Sequence, residues 1–352
     1  MSKIRIVNWL LTRRCNLNCD YCAIVKNYTN KPAYYPDMSH YHQNEMSTET
    51  VIKGLENFYK HNPYAFHIFY GGEPLLRKDL PEIIKYCNDK GIYYTIISNN
   101  TPGIQPLIKN LFNKCGKIEG FTSSVDPVLN DSKELDRVFK SIEGLKRLKE
   151  MQEKGFVKDI VAEITVMKQN INSLSQLVSI LSNEDIYSDI TFIDIAKSNY
   201  YDFSNVYSQN LLIERTFDIA KQLVDIYNNE KYLVHMKDVL IPKMYDILPS
   251  ELDCKIEDGL HNVSVDADGT IRLCLRIRGV KTPNQITLNN LLVHDGKDIN
   301  EYAMTLIKND KYKYCLKCNH TCLIMSKHID DTSTGEAELI HTDKRESNEN
   351  KN

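Results

Sequence analysis

The sequence predicts an α/β fold, a partial (β/α)6 TIM barrel followed by a small C-terminal module of a β-hairpin and helix. Three observations support this prediction. Strand-like and helix-like runs alternate six times between residues 4 and 196. Turn-forming residues follow many of these runs. Cysteine is scarce in the middle of the chain and gathers near both ends. Six β–α units in succession favour a parallel sheet with helices outside it, and six units rather than eight leave the barrel open.

The strands and helices follow from periodicity. The first run, Ile4–Thr12, is almost wholly apolar, as in a parallel strand buried on both faces. The later strands are predicted at Ala65–Tyr70, Ile92–Ser98, Gly120–Val125, Val157–Met167 and Ile190–Ala196. Helices are predicted after a cap at Ser47 and over Leu80–Lys90, Pro102–Asn113, Ser132–Lys154, Ser173–Ser182 and Leu211–Asn229. In such barrels the chemistry lies at the carboxyl ends of the strands, so motifs are expected there.

The domain boundaries follow from shifts in composition. We expect the barrel to span residues 1–210 and a helical linker to span 211–250. The second module takes residues 251–325, and a polar tail, 326–352, is expected to be disordered. Within the second module, apolar alternation over Val263–Cys274 around a turn at Asp266–Gly269 predicts a β-hairpin.

Composition excludes several functional classes. A net charge of −3 and a pI of about 6.4, without a basic stripe, argue against a nucleic-acid partner. No apolar run approaches the roughly 20 residues that cross a bilayer, so no membrane partner is expected. The apolar stretch Ile4–Leu11 lacks the cleavage site of a signal peptide, which indicates a cytoplasmic protein. Cysteines stay reduced there, and their clustering indicates metal ligation.

The first cysteine cluster is Cys15, Cys19 and Cys22, directly after the first predicted strand. Three thiolates at this spacing can hold three corners of an iron–sulfur cubane and leave the fourth iron open. A structural zinc site completed by His40 or His42 is the alternative, although zinc sites favour paired CxxC arms. This CxxxCxxC triplet resembles the hallmark of the radical S-adenosylmethionine (SAM) superfamily.

The resemblance implies a [4Fe–4S] cluster whose open iron chelates SAM. An electron, supplied by a flavodoxin- or ferredoxin-type donor, then breaks the C5′–S bond, and the resulting 5′-deoxyadenosyl radical abstracts a substrate hydrogen. Gly71-Gly72-Glu73-Pro74 resembles the family's GGEP motif. There the glycines would let the backbone approach the ligand, and Glu73 would accept hydrogen bonds from the SAM ammonium.

Other positions match the family one by one. Tyr21 occupies the place of an aromatic residue near the adenine. Polar contacts with SAM are implied for the residues that end the third and fourth strands, namely Ser98, Asn100, Ser124 and Asp126. Ser, Asn and Asp are also favoured in turns, so a purely structural role stays open for these four residues.

The second cysteine cluster resembles the twitch and SPASM extensions of radical SAM enzymes, which hold auxiliary iron–sulfur clusters. The resemblance implies one auxiliary cluster, of [4Fe–4S] type, rather than the two of a full SPASM domain, because five cysteines are present and not seven. Its ligands would be Cys254, Cys274, Cys315 and Cys318, with Cys322 as an alternative ligand or a thiol that donates a hydrogen atom. A structural zinc site is the alternative. Cys87 and Cys115, in apolar helical segments, are expected to be inert core residues.

The family implies a reaction class more than a substrate. The resemblance favours a net oxidation or crosslink of a ribosomal peptide. The alternatives are a redox-neutral epimerase or a dehydrogenase acting on a small molecule or sugar, and a non-catalytic zinc-binding protein. Leu275 follows Cys274 at the position where sulfatase-maturing members carry an aspartate that acts as a base, which argues against formylglycine formation. Arg276 and Arg278 are candidates to bind a substrate carboxylate or phosphate, or are solvated surface charges.

Overall fold

The fold is seen in a computed structural model that describes residues 4, 6–17, 19, 22, 45–125, 132–192, 217–235 and 262–272. Eight strands are present in these ranges: β1 Ile6–Thr12, β2 Phe66–Gly71, β3 Tyr94–Ser98, β4 Ile118–Ser124, β5 Val157–Val166, β6 Tyr187–Phe192, β7 Asn262–Val265 and β8 Ile271–Arg272. Helices lie at α1 Thr48–His61, α2 Leu80–Lys90, α3 Gln105–Cys115, α4 Ser132–Glu153, α5 Leu174–Asn183 and α6 Phe217–Asn228. Short 3-10 helices occur at Pro74–Leu76 and Ile171–Ser173.

All eight strands belong to one open sheet, in the order β6-β5-β4-β3-β2-β1-β7-β8. The first seven are parallel to one another, and β8 alone runs antiparallel, beside β7. Helices lie between the successive parallel strands in the chain, as expected of β–α units. The predicted α/β fold with an open, partial barrel is therefore confirmed.

One face of the sheet is covered by the helices and forms the core. In β1 the side chains of Val7, Trp9 and Leu11 point to this face, and each is fully buried. The helices turn their apolar stripes toward the sheet; Val51, Leu55 and Phe58 of α1 lie on one side of that helix and belong to the same core. A hydrogen bond from the Trp9 indole Nε1 to His67 Nδ1, at 2.9 Å, satisfies the indole.

The opposite face of the sheet carries polar side chains. Thr95 of β3 and Thr122 of β4 share a hydrogen bond between their hydroxyls at 3.0 Å. Because side chains alternate along a strand, Thr95 lies on the face opposite to the core residues Tyr94 and Ile96. In a barrel this is the concave face, where a ligand has room beside polar groups.

The predicted C-terminal hairpin is present and extends the barrel sheet. Strand β7 pairs in parallel with β1, so that Val7 lies opposite Val263 and Trp9 opposite Val265. Val263, Val265 and Ile271 belong to the same core as the helices. The turn forms where the sequence placed it, with the Gly269 amide donating to the Asp266 carbonyl at 2.8 Å. The pairing of this hairpin with the first strand was not predicted.

Most predicted bounds agree with the structure within a few residues, and one strand is shifted. Strand β6 begins at Tyr187, three residues before the predicted start at Ile190. The chain turns at Asp185, where φ is +53°, and Ile186 after it is buried. The strand therefore begins earlier than the apolar pattern suggested. Ser47 caps α1 as predicted, since its hydroxyl accepts a hydrogen bond from the Thr50 amide at 3.1 Å. Among the described helices, none has the length and apolar content to cross a membrane.

Candidate active site

The sequence motifs meet at the carboxyl edge of the sheet, as predicted. The cysteine loop begins directly after β1, and Gly71 is the last residue of β2. Ser98 and Ser124 are the last residues of β3 and β4. Because these four strands are parallel neighbours, their carboxyl ends lie side by side. Motifs about 110 residues apart in sequence therefore share one edge of the fold.

The described thiols of the first cluster lie on this edge. Cys15, Cys19 and Cys22 are each half-buried, and a turn joins the last two, with the Cys22 amide donating to the Cys19 carbonyl at 3.1 Å. The Leu17 amide lies 3.4 Å from the Cys15 sulfur and donates to it. Burial raises the pKa of the Cys15 thiol, the Leu17 hydrogen bond opposes this rise, and the charges of Glu73 and Cys22 add to it.

These residues fit an iron–sulfur cluster by the chemistry of their donors. Three half-buried thiols on one loop provide the soft ligands that such a cluster uses, and an amide already donates to one sulfur. The thiols are not gathered into a closed site: within the described ranges, no three His, Cys, Asp or Glu side chains are arranged to hold a metal ion. The assignment of Cys15, Cys19 and Cys22 as ligands thus remains a prediction.

The two glycines of the second motif lie against the backbone that leads into the cysteine loop. A Cβ on Gly72 would overlap the Arg14 carbonyl oxygen, and a Cβ on Gly71 would overlap the Thr12 carbonyl oxygen. The Gly72 amide donates to Thr12 O at 2.8 Å, and the Glu73 amide donates to Arg14 O at 2.7 Å. In the structure the glycines therefore allow close approach to the backbone that leads into the cysteine loop. Their approach to a ligand is not tested.

Glu73 is fully buried, and its carboxylate accepts three hydrogen bonds from the protein. The donors are the Leu75 amide at 3.1 Å, the Ser98 hydroxyl at 3.1 Å and the Asn99 amide at 2.9 Å. Burial raises its pKa to about 7, although these donors favour the charged form. Glu73 thus links the end of β2 to the end of β3. A carboxylate has about four acceptor positions, so one more donor, such as the predicted SAM ammonium, is chemically possible.

A second polar link fastens the cysteine loop to the end of β3. Asn16 follows the first cysteine, and its side-chain amide donates to the Thr101 hydroxyl at 3.0 Å. The side-chain oxygen Oδ1 of Asn16 accepts a hydrogen bond from the Asn99 side-chain amide at 2.8 Å. Asn99 in turn accepts from the Thr101 hydroxyl at 2.7 Å, which closes a triangle of side chains. Asn16 and Thr101 were not predicted as site residues from sequence, because their types are ordinary in turns and only the fold brings them together.

Asn100 has protein partners in the structure. It is fully buried with φ at +48°, a left-handed conformation that asparagine tolerates better than most residues. Its side-chain amide lies 3.4 Å from the Ser141 carbonyl of α4, and its side-chain oxygen accepts from Gln105. The predicted contact of Asn100 with SAM is untested, and these contacts indicate that Asn100 shapes the turn after β3.

The concave face next to Ser124 carries acidic residues that sequence analysis did not single out. Ser124 of β4 lies opposite Glu163 of β5, and Glu163 lies opposite Asp189 of β6. Residues paired in register project from the same face of a sheet, so these three side chains form one polar row. Alternation of polar and apolar residues along β5 is the signal that would have revealed Glu163.

Several predicted site residues lie outside the described residues. These are Tyr21, Asp126, Cys254, Cys274, Cys315, Cys318 and Cys322, together with His40, His42, Arg276 and Arg278. The two other cysteines are described. Cys87 is fully buried, and burial raises its pKa, which agrees with an inert core residue. Cys115 is half-buried, burial raises its pKa to about 11, and its thiol donates to Leu111 O at 2.8 Å.

Comparison with known proteins identifies relatives of the barrel. The radical SAM superfamily model matches residues 9–180, which include β1 to β5. The chain is 32% identical over 193 residues to Fe-coproporphyrin III synthase of Methanosarcina barkeri, a match that covers 53% of this chain and 43% of that protein. It is 33% identical over 101 residues to PqqA peptide cyclase of Xanthomonas oryzae pv. oryzae, covering 29% of this chain and 24% of the cyclase. This chain therefore spans less than half the length of both relatives.

Solved structures share the fold. SuiB of Streptococcus suis bound to its precursor peptide SuiA superposes with a TM-score of 0.58 at 15% identity, covering 91% of this chain and 70% of SuiB. The enzyme anSMEcpe with bound AdoMet and a peptide gives a TM-score of 0.53 at 15% identity, covering 89% and 88% of the two chains. Identities this low establish the fold alone. The family match and the motifs at the strand ends identify residues 9–180 of this chain as a radical SAM superfamily domain.

Proposed function

We propose that this chain binds a [4Fe–4S] cluster through Cys15, Cys19 and Cys22 and uses it to cleave SAM reductively, in order to modify a peptide substrate. The observation that carries this proposal is the position of the three thiols. They follow β1 at the carboxyl edge of a radical SAM domain, beside the Gly72–Glu73 segment that pairs with the base of their loop. When bound, the cluster and SAM supply the electron transfer and the hydrogen-abstracting radical.

The protein's own residues fix the cysteine loop against the ends of β2 and β3. Gly72 and Glu73 fix the backbone of Thr12 and Arg14, from which the cysteine loop departs. Asn16 connects the loop to Asn99 at the end of β3. The Leu17 amide donates to the Cys15 sulfur, and such hydrogen bonds raise the reduction potential of a cluster bound at that sulfur.

The peptide substrate is proposed from the relatives. SuiB has been solved with a precursor peptide, and PqqA peptide cyclase is named for its peptide substrate. We propose a net oxidation or crosslink as the product-forming step. A small-molecule substrate is the second candidate, because Fe-coproporphyrin III synthase, matched over 193 residues, is named for a tetrapyrrole. A redox-neutral reaction would need a hydrogen donor, for which Cys322 is the candidate.

An auxiliary cluster held by Cys254, Cys274, Cys315 and Cys318 is part of the proposal. Its support is the hairpin β7–β8, which ends at Arg272, two residues before Cys274. Iron content tests it: the reconstituted chain is expected to hold about eight iron atoms, and replacement of these four cysteines by alanine should leave about four. Zinc in place of iron, with no absorbance near 400 nm, would contradict both cluster assignments.

The central experiment measures 5′-deoxyadenosine. The anaerobically reconstituted chain, given dithionite and SAM, is expected to release 5′-deoxyadenosine, detected by liquid chromatography and mass spectrometry. The triple variant Cys15→Ala, Cys19→Ala, Cys22→Ala should release none. Cys115→Ala is the matched control, since that thiol is also half-buried but belongs to α3. No 5′-deoxyadenosine from the native chain, or equal amounts from the triple variant, would overturn the proposal.

The role of Cys322 is tested separately once a substrate is in hand. If the enzyme is redox-neutral and Cys322 returns a hydrogen atom, Cys322→Ala should abolish product while SAM cleavage continues. If product persists, Cys322 is not the hydrogen donor, and the oxidative reaction is favoured.

A further inference from the structure

A buried ion pair joins the base of the cysteine loop to the C-terminal hairpin. Arg13 Nη2 lies 2.5 Å from Asp266 Oδ1, and the two side chains are 2% and 5% exposed. Arg13 stands two residues before Cys15, and Asp266 is the first residue of the turn between β7 and β8. The contact spans 253 positions of sequence.

The hairpin turn fixes the position of the Asp266 carboxylate. The Ala267 amide donates to Asp266 Oδ1 at 2.8 Å, so the oxygen that meets Arg13 is also held by its own turn. The Ala267 carbonyl accepts from the Met46 amide at 2.7 Å, which attaches the turn to the segment preceding α1. Asp268, on the same turn, is 39% exposed and lies 4.0 Å from Arg13. Of the two aspartates, Asp266 therefore forms the close ion pair with Arg13.

Arg13 also lies between backbone groups that belong to the site. The carbonyls of its neighbours Thr12 and Arg14 accept the amides of Gly72 and Glu73. The Arg13 side chain therefore projects from the backbone segment on which the cysteine loop rests. A buried ion pair contributes little net stability over a well-packed apolar pair, because both charges lose their hydration. Its value here is the fixed position that it imposes on two distant segments.

We propose that Arg13 and Asp266 are a positioning pair, through which the C-terminal hairpin fixes the base of the cysteine loop at the sheet edge where the cluster and SAM would bind. The inference rests on the proposed function and extends it. It makes residues 262–272 a structural part of the SAM site, outside the stretch 9–180 that matches the family. Neither residue is proposed to touch SAM or the substrate.

Hydrogen exchange of the metal-free chain tests the proposal without relying on activity. In Asp266→Asn, which keeps the size and removes the charge, the Gly72 and Glu73 amides are expected to exchange on the order of tenfold faster. The Val125 amide, which donates to Glu163 O between β4 and β5, should be unchanged. Asp268→Asn is the matched control on the same turn and should leave all three amides at native rates.

Two exchange results would overturn the proposal. Native rates at Gly72 and Glu73 in Asp266→Asn would show that the pair does not hold the loop. Equal acceleration at Val125 would show a general loss of stability instead of positioning. If Asp266→Asn does not fold, hydrogen exchange of the same amides is measured in Arg13→Lys instead. This variant keeps the positive charge and loses the fixed geometry of the guanidinium.

SAM affinity separates this inference from the proposed function. In the reconstituted protein, Asp266→Asn is expected to weaken SAM binding on the order of tenfold relative to Asp268→Asn. If the native chain cleaves SAM and the two variants bind it equally, the positioning pair is wrong and the proposed function stands. If the native chain binds no cluster, the proposed function fails, and the exchange result alone then decides whether the ion pair holds the loop.

Discussion

At the scale of single residues, Glu73 is the group whose surroundings have the clearest consequence. It combines complete burial with three hydrogen bonds, and its pKa in the folded chain, about 7, lies above the ordinary 4.5. A folded state with a raised carboxyl pKa binds more protons than the unfolded chain between these two values. The stability that protonated Glu73 contributes is thus complete below about pH 4.5 and is lost as pH rises through about 7.

This predicts a difference in pH dependence. Between pH 5 and 8, the free energy of unfolding of the metal-free native chain should fall relative to that of Glu73→Gln by on the order of 2–3 kcal/mol. Other acidic groups are the same in both proteins and cancel in the difference. Urea unfolding at the two pH values measures it, and parallel profiles would show that Glu73 titrates normally.

Gly72 gives a prediction about steric fit. Its backbone does not adopt a positive φ, so alanine is disfavoured by steric overlap alone, with the carbonyl oxygens of Arg14 and Arg13. Gly72→Ala is expected to destabilise the chain by about 1–3 kcal/mol and to lower the iron bound after reconstitution, because the cysteine loop must move. Gly103→Ala is the matched control, since a Cβ there meets nothing within 4 Å. Thermal unfolding and iron analysis of both variants provide the measurement; a Gly72→Ala chain with native iron content would contradict the prediction.

At the scale of elements, the contacts between the cysteine loop and the end of β3 are expected to act as a unit. Asn16 and Asn99 are directly bonded, so the free-energy cost of changing both to alanine should be smaller than the sum of the single costs, by about 1 kcal/mol. Denaturant unfolding of the two single variants and the double variant gives this coupling. Strict additivity would show that the bond contributes nothing to the position of the loop.

The elements also show what can be predicted from sequence here. Strand β1 was predictable because all its residues are buried, so its sequence is almost continuously apolar. The helix cap at Ser47 was predictable because a capping hydrogen bond depends only on residues close in sequence. The start of β6 was misplaced because a turn at Asp185 fixed it. The position of the three cysteines at the carboxyl edge of the sheet was predictable, because they directly follow an apolar strand that is easily recognised in the sequence. Arg13, Asn16 and Asp266 were missed because their roles arise from contacts between segments that the sequence does not connect.

At the scale of the whole molecule, the hairpin belongs to the barrel core. It gives β1 a second parallel neighbour, and Val263, Val265 and Ile271 join the main core. A chain ending at residue 235 is expected to lose stability and to aggregate, because the apolar strand β1 then becomes an unprotected edge. A chain ending at residue 326 is the control and should behave as the full chain. Light scattering and circular dichroism distinguish these outcomes; a stable, monomeric 1–235 fragment would contradict the prediction.

The neighbouring positions of β1 and β7 have a consequence for biosynthesis. Strand β1 acquires its second neighbour only after about 250 further residues have been translated. Pairing across such a long separation is slow, since a large loop must close before the contact forms. Until then the nascent N-terminal segment keeps one flank exposed, which makes it a candidate for chaperone binding. This topology favours loading of the proposed cluster after β7 has been translated.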